Sequence, residues 1–409
     1  MQVVKNIGYL FIVNFANYVI PLVLVPYAIS TIGVDGFGKF SIALAIFSYG
    51  VLITEFGMNL TVTKILCQSA SEDNDDIISA VVTIKIFIYA AVTTVLITGC
   101  LIFKSDDLYL YLSLSLYLFG FTFSPLWYFQ YKENMKVVTL YNVIPKLIVL
   151  PLIFVFVKSK DDLFLYGFIW SFSFFLSGII GLVILFQNFQ FKLPRIEVVK
   201  RVIYESLPIF FSQVSVKIYS TSNVLVAGLM IGDVAAGIFA AVEKLIRGGV
   251  SLLSPIHSVL YPRLNIKLKE NTNEYCYLVK MLVTIQFFLT AGVYIAVNIL
   301  NDHILLLFFG EVIDFTSVNF SIVYLLLIII PMSNVFGTLI LLPNGENKGF
   351  FKVLSISAAL HLVLLPVVTY FWKLKGVFLI YTFTESLVLL LLVLLVKEKK
   401  ILTNMFVKC

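Results

Sequence analysis

From Ile7 to Val396, apolar runs of twenty or more residues follow one another, parted only by short charged or glycine-containing breaks. A bilayer-crossing helix needs about 20 apolar residues to cover about 30 Å of hydrocarbon. In lipid, only helices and closed barrels satisfy their own backbone polar groups. Barrel strands alternate polar and apolar over about 10 residues, and these runs do not alternate. Only 13% of the 409 residues are charged, against about 25% in soluble domains, and 60% are hydrophobic. Mean hydropathy is +1.01. There are too few charges to coat the surfaces of two or three soluble domains. Cys67, Cys100, Cys276 and Cys409 are too scattered for a secreted disulfide scaffold.

At roughly 30–35 residues per span and connector, the length holds about 12 spans. They are expected at 7–32, 39–66, 77–103, 108–130, 137–157, 163–186, 204–230, 236–261, 275–300, 317–342, 350–372 and 376–396. Residues 304–315 read as a small helix on the membrane surface. The first run is too long for a cleaved signal peptide and ends in no small-residue cleavage site. In the loops, seventeen Lys and Arg fall on one side and six on the other. The positive-inside rule therefore places both termini in the cytoplasm. The net charge of +6 reflects this topology and contact with anionic lipid heads, not nucleic acid.

The longest loop falls near the middle. The expected organisation is a six-helix half over 1–190, a cytoplasmic linker over 191–203 and a second six-helix half over 204–409. The fold class is an all-α polytopic membrane protein with about 12 transmembrane helices in two halves around a central cavity. An even number of spans per half makes any repeat a parallel one. Ile32-Gly33, Gly38, Phe40 and Gly50-Val51 recur 199 residues on as Ile231-Gly232, Gly237, Phe239 and Gly249-Val250, and Lys64 aligns with Arg263.

Charges inside a bilayer cost about 2.5 to more than 10 kcal/mol, so they face a protein or water-filled interior. The candidates are Glu55, Lys85, Lys146, Lys217, Glu243, Lys244, Arg247, Lys280 and Glu385, with His257 and His361. Helical spacing groups Lys244, Arg247, Ser251, Ser254 and Ser258 on one face, and Gln213, Lys217 and Ser220 on another. Asn14, Asn17 and Pro21 share a face, as do Ser41, Ser48, Glu55 and Asn59. These four helices are the first two of each half, and their polar faces would enclose a wet, net cationic cavity. Structural readings stand beside these. Glu243 and Arg247 are spaced to pair. Lys85, Lys280 and Glu205 lie close enough to the cytoplasmic end to snorkel. Lys146 follows Pro145 and could satisfy a freed helix carbonyl. His257, His303 and His361 read as structural. No nucleotide-binding loop, His-Glu-x-x-His, CxxC or dinucleotide fingerprint occurs, so no cofactor is expected and the chain does not itself consume ATP.

Three segments carry a family resemblance. Gly36-Phe37-Gly38-Lys39-Phe40 leads to Thr54-Glu55-Phe56-Gly57-Met58-Asn59-Leu60-Thr61-Val62-Thr63-Lys64. Trp127-Tyr128-Phe129-Gln130-Tyr131-Lys132-Glu133-Asn134-Met135-Lys136 precedes Asn142-Val143-Ile144-Pro145-Lys146. Gly237-Ile238-Phe239-Ala240-Ala241-Val242-Glu243-Lys244-Leu245-Ile246-Arg247 runs on to Leu260-Tyr261-Pro262-Arg263-Leu264. Together they resemble the polysaccharide biosynthesis family, in particular O-antigen flippases, within the multidrug/oligosaccharidyl-lipid/polysaccharide exporter superfamily. The chain departs from the family pattern at Tyr131-Lys132, where Gly-Leu/Met is usual, and has Lys64 where Arg is common.

The resemblance implies a multi-pass protein of the bacterial inner membrane. It implies a substrate, an undecaprenyl-pyrophosphate-linked oligosaccharide moved from the cytoplasmic to the periplasmic leaflet by alternating access. Lys217, Lys244 and Arg247 would hold the anionic head group, with Lys146 and Lys85 as further candidates. Asn14, Asn17, Gln213 and the serines would hydrogen-bond sugar. Glu55 or Glu385 would carry a coupling ion. The implied partners are that lipid-linked oligosaccharide, the bilayer, and an O-antigen polymerase with its chain-length regulator. Two other functions are weighed. An O-antigen polymerase or other polytopic glycosyltransferase usually carries a large outer loop, and the outer connectors here are short. A cation-coupled drug exporter favours acidic cavities, and the in-span charge here is mainly basic.

Overall fold

The computed structural model describes residues 2–68, 74–102, 107–251, 264, 267–268, 270, 272–310 and 318–399, apart from the side chains of 2–5, 7, 10 and 272. Every regular element among them is helical. Helix α1, Gln2–Glu55, holds two arms that meet at Gly33, where φ is 79°. It ends at Phe56 and Gly57, both with positive φ, before α2, Met58–Gln68. The second span, expected to be continuous over 39–66, is therefore broken in its interior. Then come α3, Asn74–Ile102, and α4, Leu108–Phe123. Pro125 lacks an N–H and pushes Ser124 into extended backbone, so α4 stops and the short α5, Leu126–Tyr131, starts afresh. Helices α6, Met135–Phe156, and α7, Leu163–Phe186, follow.

The second part begins with α8, Ile196–Met230, and α9, Asp233–Ser251. Next are α10, Thr272–Ile299, and the small α11, Asn301–Phe309, which starts a few residues earlier than expected. Helices α12, Phe320–Tyr324, and α13, Leu326–Asn334, run into a π-helical turn over Val335–Leu341. Helix α14, Asn347–Glu398, bends at Lys373, where φ is 47°, and holds the last two spans. With these breaks counted, the helices coincide with the twelve expected spans, the eighth described as far as Ser251.

Among the described residues, eight helices are long and apolar enough to cross a membrane, and two of them, Phe11–Gln68 and Asn347–Glu398, each cover two of the expected spans. Helices α8 and α9 are not among the eight. They are the helices that carry Gln213, Lys217, Glu243, Lys244 and Arg247. Gly33 and Gly232, paired by the 199-residue offset, both have positive φ, at 79° and 128°. Each closes the first span of its half with a backbone turn that L side chains resist.

The chain packs into two compact units, Met1–Ile20 with Tyr27–Lys217, and Pro21–Pro26 with Ile218–Cys409. In the first, Met58, Val62 and Ile65 of α2 pack with Ile77 and Val81 of α3 and with Trp127, Tyr128 and Phe129 of α5. Helices α4 and α7 approach until their backbones touch. A Cβ on Gly120 would lie 2.1 Å from the Phe174 carbonyl oxygen, and one on Gly178 would lie 2.8 Å from the Gly120 Cα. Apolar burial gains nothing between helices in lipid, so small residues that admit this contact hold such pairs together. In the second unit, Tyr219, Tyr275, Cys276, Leu339, Ile340, Leu354 and Val388 form the core.

Large apolar side chains also cover the outside. Phe87 and Val95 on α3 are about 70% exposed, at 71% and 69%. In water such a surface would aggregate, whereas in a bilayer it meets its own solvent. Tyr370, Phe371 and Trp372 are exposed beside the Lys373 bend, as aromatic residues at a membrane interface are. In the connector before α7, the backbone N–H groups of Lys158 and Ser159 donate to Asp162 Oδ2 at 2.9 and 2.8 Å. Those donors stabilise the carboxylate and hold its pKa below the usual range.

Candidate functional site

Each unit gathers charged residues inside its spans. In the first, Glu55 is the last residue of α1, beside the Phe56-Gly57 break. A carboxylate at a helix C-terminus is disfavoured by the helix dipole, so it needs compensating cations. Lys85 of α3 and Lys217 of α8 lie within its electrostatic reach. Asn59 bridges the break, its Nδ2 donating to Glu55 Oε1.

Lys85 is 3% exposed, and its ammonium donates to the Thr122 carbonyl at 2.7 Å. That carbonyl sits in the last turn of α4, where the stop at Ser124-Pro125 removes its helical donor. Thr122 Oγ1 meets Thr54 Oγ1 at 2.8 Å. Lys85 is thus enclosed between α3 and α4, bonded to the end of α4 rather than reaching solvent. Glu55 and Lys85 lie within electrostatic reach of one another, so removing the lysine leaves the carboxylate with less compensation. Lys85→Met is therefore expected to lower the yield of folded protein in detergent. Lys85→Met with Glu55→Gln is expected to recover part of that loss. A double variant no better than Lys85→Met would show that the two charges are not coupled.

Lys146 of α6 is 7% exposed. Its ammonium donates to Asn17 Oδ1 of α1 and, at 2.6 Å, to Asn142 Oδ1 one turn back, and lies 5.0 Å from the centre of the Phe174 ring. These partners are neutral. Among the described residues, no carboxylate lies within ion-pair distance of Lys146. It bonds side-chain amides rather than the carbonyl freed by Pro145. Asn14 is half-buried one turn from Asn17.

In the second unit, Arg247 Nε donates to Glu243 Oε1 at 2.7 Å, so the spacing that suggested an α9 pair does form one. Lys244 lies in the field of both charges. Glu385, 6% exposed on the second arm of α14, and Tyr381, one turn before it, lie within electrostatic reach of Arg247. His361 is buried, with Nδ1 2.7 Å from Thr384 Oγ1 and, among the described residues, no hydrogen-bond partner for Nε2.

Of the residues expected to bind, Asn14, Asn17, Lys85, Lys146, Gln213 and Lys217 belong to the first unit, with Glu55. Lys244, Arg247 and Glu385 belong to the second. Among the described residues, the buried Gln213 Oε1 has no hydrogen-bond partner. Ser41, Ser48 and Ser251 spend their hydroxyls on carbonyls of their own helices, at 2.7, 2.8 and 2.7 Å. Ser254, His257, Ser258 and Arg263 lie outside the described residues.

Thr122, Asn142 and Tyr381 emerge only from the structure. Asn142 and Tyr381 lie four residues before Lys146 and Glu385, a spacing visible in the sequence. Thr122 gives no such signal, because its contribution is a backbone carbonyl.

Comparison with known proteins agrees with this architecture. Two whole-length relatives, from Escherichia coli (strain K12) and Shigella dysenteriae, share the name "Putative O-antigen transporter". They are 29% and 27% identical over 97% and 96% of this chain, and the matches cover 97% and 100% of their own lengths. The fold is similar to that of the lipid II flippase MurJ in an inward closed conformation, with a TM-score of 0.72 at 15% identity over 95% of this chain and 87% of that one. It is similar also to an inward-facing multidrug MATE transporter of the MOP superfamily, with a TM-score of 0.69 at 13% identity over 92% and 97%. The family described as "Polysaccharide biosynthesis protein" matches residues 3–265, which is more than half of the chain, and the chain belongs to that family.

Proposed function

We propose that this protein carries a lipid-linked oligosaccharide, an O-antigen unit on undecaprenyl pyrophosphate, from the cytoplasmic to the periplasmic leaflet of the bacterial inner membrane. The observation that carries the reading furthest is Lys146, an ammonium buried in a span and held by neutral oxygens. A buried charge without a counter-charge is costly, and a phosphate oxygen offsets that cost with a charge-assisted hydrogen bond. Lys217, Lys244 and Arg247 are the further candidates for the anionic head group, and Asn14, Asn17 and Gln213 for sugar hydroxyls. Both termini are cytoplasmic in this reading. The halves 1–190 and 204–409, joined by the linker 191–203, rock against one another to give alternating access. Glu55 and Glu385 are the candidates for a coupling ion.

The relatives' names support a transporter over a polymerase or glycosyltransferase. The MATE-like fold suits drug export as well, but buried lysines repel the cationic compounds an acidic cavity would attract. The test is a deletion strain whose lipopolysaccharide is resolved on a gel. The expected result is core without O-antigen, restored by the intact gene. A surface lipopolysaccharide bearing a single repeat unit would mean that translocation survives and elongation fails, which would overturn the proposal.

A further inference from the structure

The first unit holds a cavity of about 300 Å³ away from the charged spans, where the α1 bend meets the starts of α4 and α7. Its floor is apolar, made by Ile32 and Leu110, both almost fully buried. Its lining carries both signs of charge, with Asp35, Asp107 and Asp161 beside Lys39 and Lys160. Lys39 and Asp107 pair at 3.0 Å. Gly33 adjoins two of these side chains, since a Cβ there would come within 2.5 Å of Asp35 Oδ1 and 3.4 Å of Lys160 Cε. Two aromatic rings stand at the rim. Tyr109 and Phe164 are 70% and 45% exposed, with centroids 6.1 Å apart.

Mixed acceptors and donors, with side-chain charges that nearly cancel, suit a ligand that is neutral and rich in hydroxyls. A phosphate would meet three carboxylates, and a divalent cation would meet two ammonium groups. Exposed aromatic faces stack on the C–H face of a pyranose through the negative face of the ring. The volume is at the small end of ligand sites, which span about 300–1,000 Å³, and so suits one ring better than an extended chain. We infer that this cavity is a monosaccharide subsite that binds one neutral hexopyranose of the transported glycan. The inference rests on the function proposed above, in whose orientation the cavity opens on the periplasmic side. There it would receive the leading sugar as the unit leaves.

The test uses the full chain in lipid nanodiscs with methyl glycosides of glucose, galactose, mannose and N-acetylglucosamine, read by saturation-transfer difference NMR. At least one glycoside is expected to give a signal. Tyr109→Ala and Asp161→Asn, both surface changes, are expected to weaken it about fivefold, the effect of one lost contact or hydrogen bond. Tyr109→Phe, which keeps the ring, is expected to retain it. No signal from any glycoside, or a signal that both weakening variants leave intact, would overturn the subsite. So would a signal abolished by inorganic phosphate or calcium chloride, which would mark an ion site. Surface O-antigen in the deletion strain reports separately on the proposed function. O-antigen lost there, with nanodisc binding insensitive to the variants, would defeat the subsite alone. O-antigen unchanged there would defeat the transport reading.

Discussion

Lys146→Met is expected to reach the membrane in normal amount and to leave the cell surface without O-antigen. The unbranched thioether fills much of the volume of the lysine stem and keeps the van der Waals contact with Phe174, while the charge is lost. Asn17 and Asn142 lose a donor, but each is half-buried and can turn to other partners. Removing one member of a buried, hydrogen-bonded charge pair costs about 2–5 kcal/mol of binding, so affinity for an anionic head group falls more than tenfold. Lys146→Arg keeps the charge and is expected to retain part of the activity, limited by its wider fork. Immunoblots of membranes beside lipopolysaccharide gels check both variants. O-antigen at the intact level in Lys146→Met would remove Lys146 from the binding site.

Gly120→Val is expected to have the largest effect on folding. Its Cβ would meet the Phe174 carbonyl at 2.1 Å and the carbonyl carbon at 2.3 Å, both backbone atoms that cannot rotate away. The helices would have to separate, losing the contact that small residues provide between α4 and α7. Overpacking costs about 1–3 kcal/mol where side chains can adjust, and backbone against backbone places this variant at about 3 kcal/mol or more. The monodisperse fraction after detergent extraction measures it. Gly99→Ala is the control, since a Cβ there meets nothing within 4 Å. Equal behaviour of the two variants would refute the close packing of α4 on α7.

Much of this was legible in the sequence because lipid imposes a simple rule. An apolar run long enough to cross becomes a helix, and the twelve expected spans fall on the helices described. The glycines at the 199-residue offset were legible as well, since positive φ at Gly33 and Gly232 demands glycine in both halves. The Phe56-Gly57 break was hidden, because Phe56 is a non-glycine residue at φ 47° and nothing in an apolar run announces that. Helical spacing put Lys217 and Arg247 on polar faces and suggested the Glu243–Arg247 pair, but it gave no partner for Lys146, which stood out only as a charge inside a span. Lys146 finds Asn17 on another helix, and Lys85 finds a carbonyl released by a proline at the end of α4. Both depend on which helices lie side by side, and periodicity within one helix carries no such information. Serines at helical spacing looked like a sugar-binding stripe, yet Ser41, Ser48 and Ser251 bond their own backbone, as hydroxyls in transmembrane helices often do.

The most direct test of the account is the leaflet that holds the lipid-linked oligosaccharide when this protein is absent. Intact spheroplasts and inverted membrane vesicles from the deletion strain would be exposed to a membrane-impermeant glycan-labelling reagent. The account predicts labelled units in inverted vesicles only, with label returning to spheroplasts when the gene is restored. Units labelled on the outer face of deletion-strain spheroplasts at the intact level would contradict it, because the oligosaccharide would be crossing without this protein.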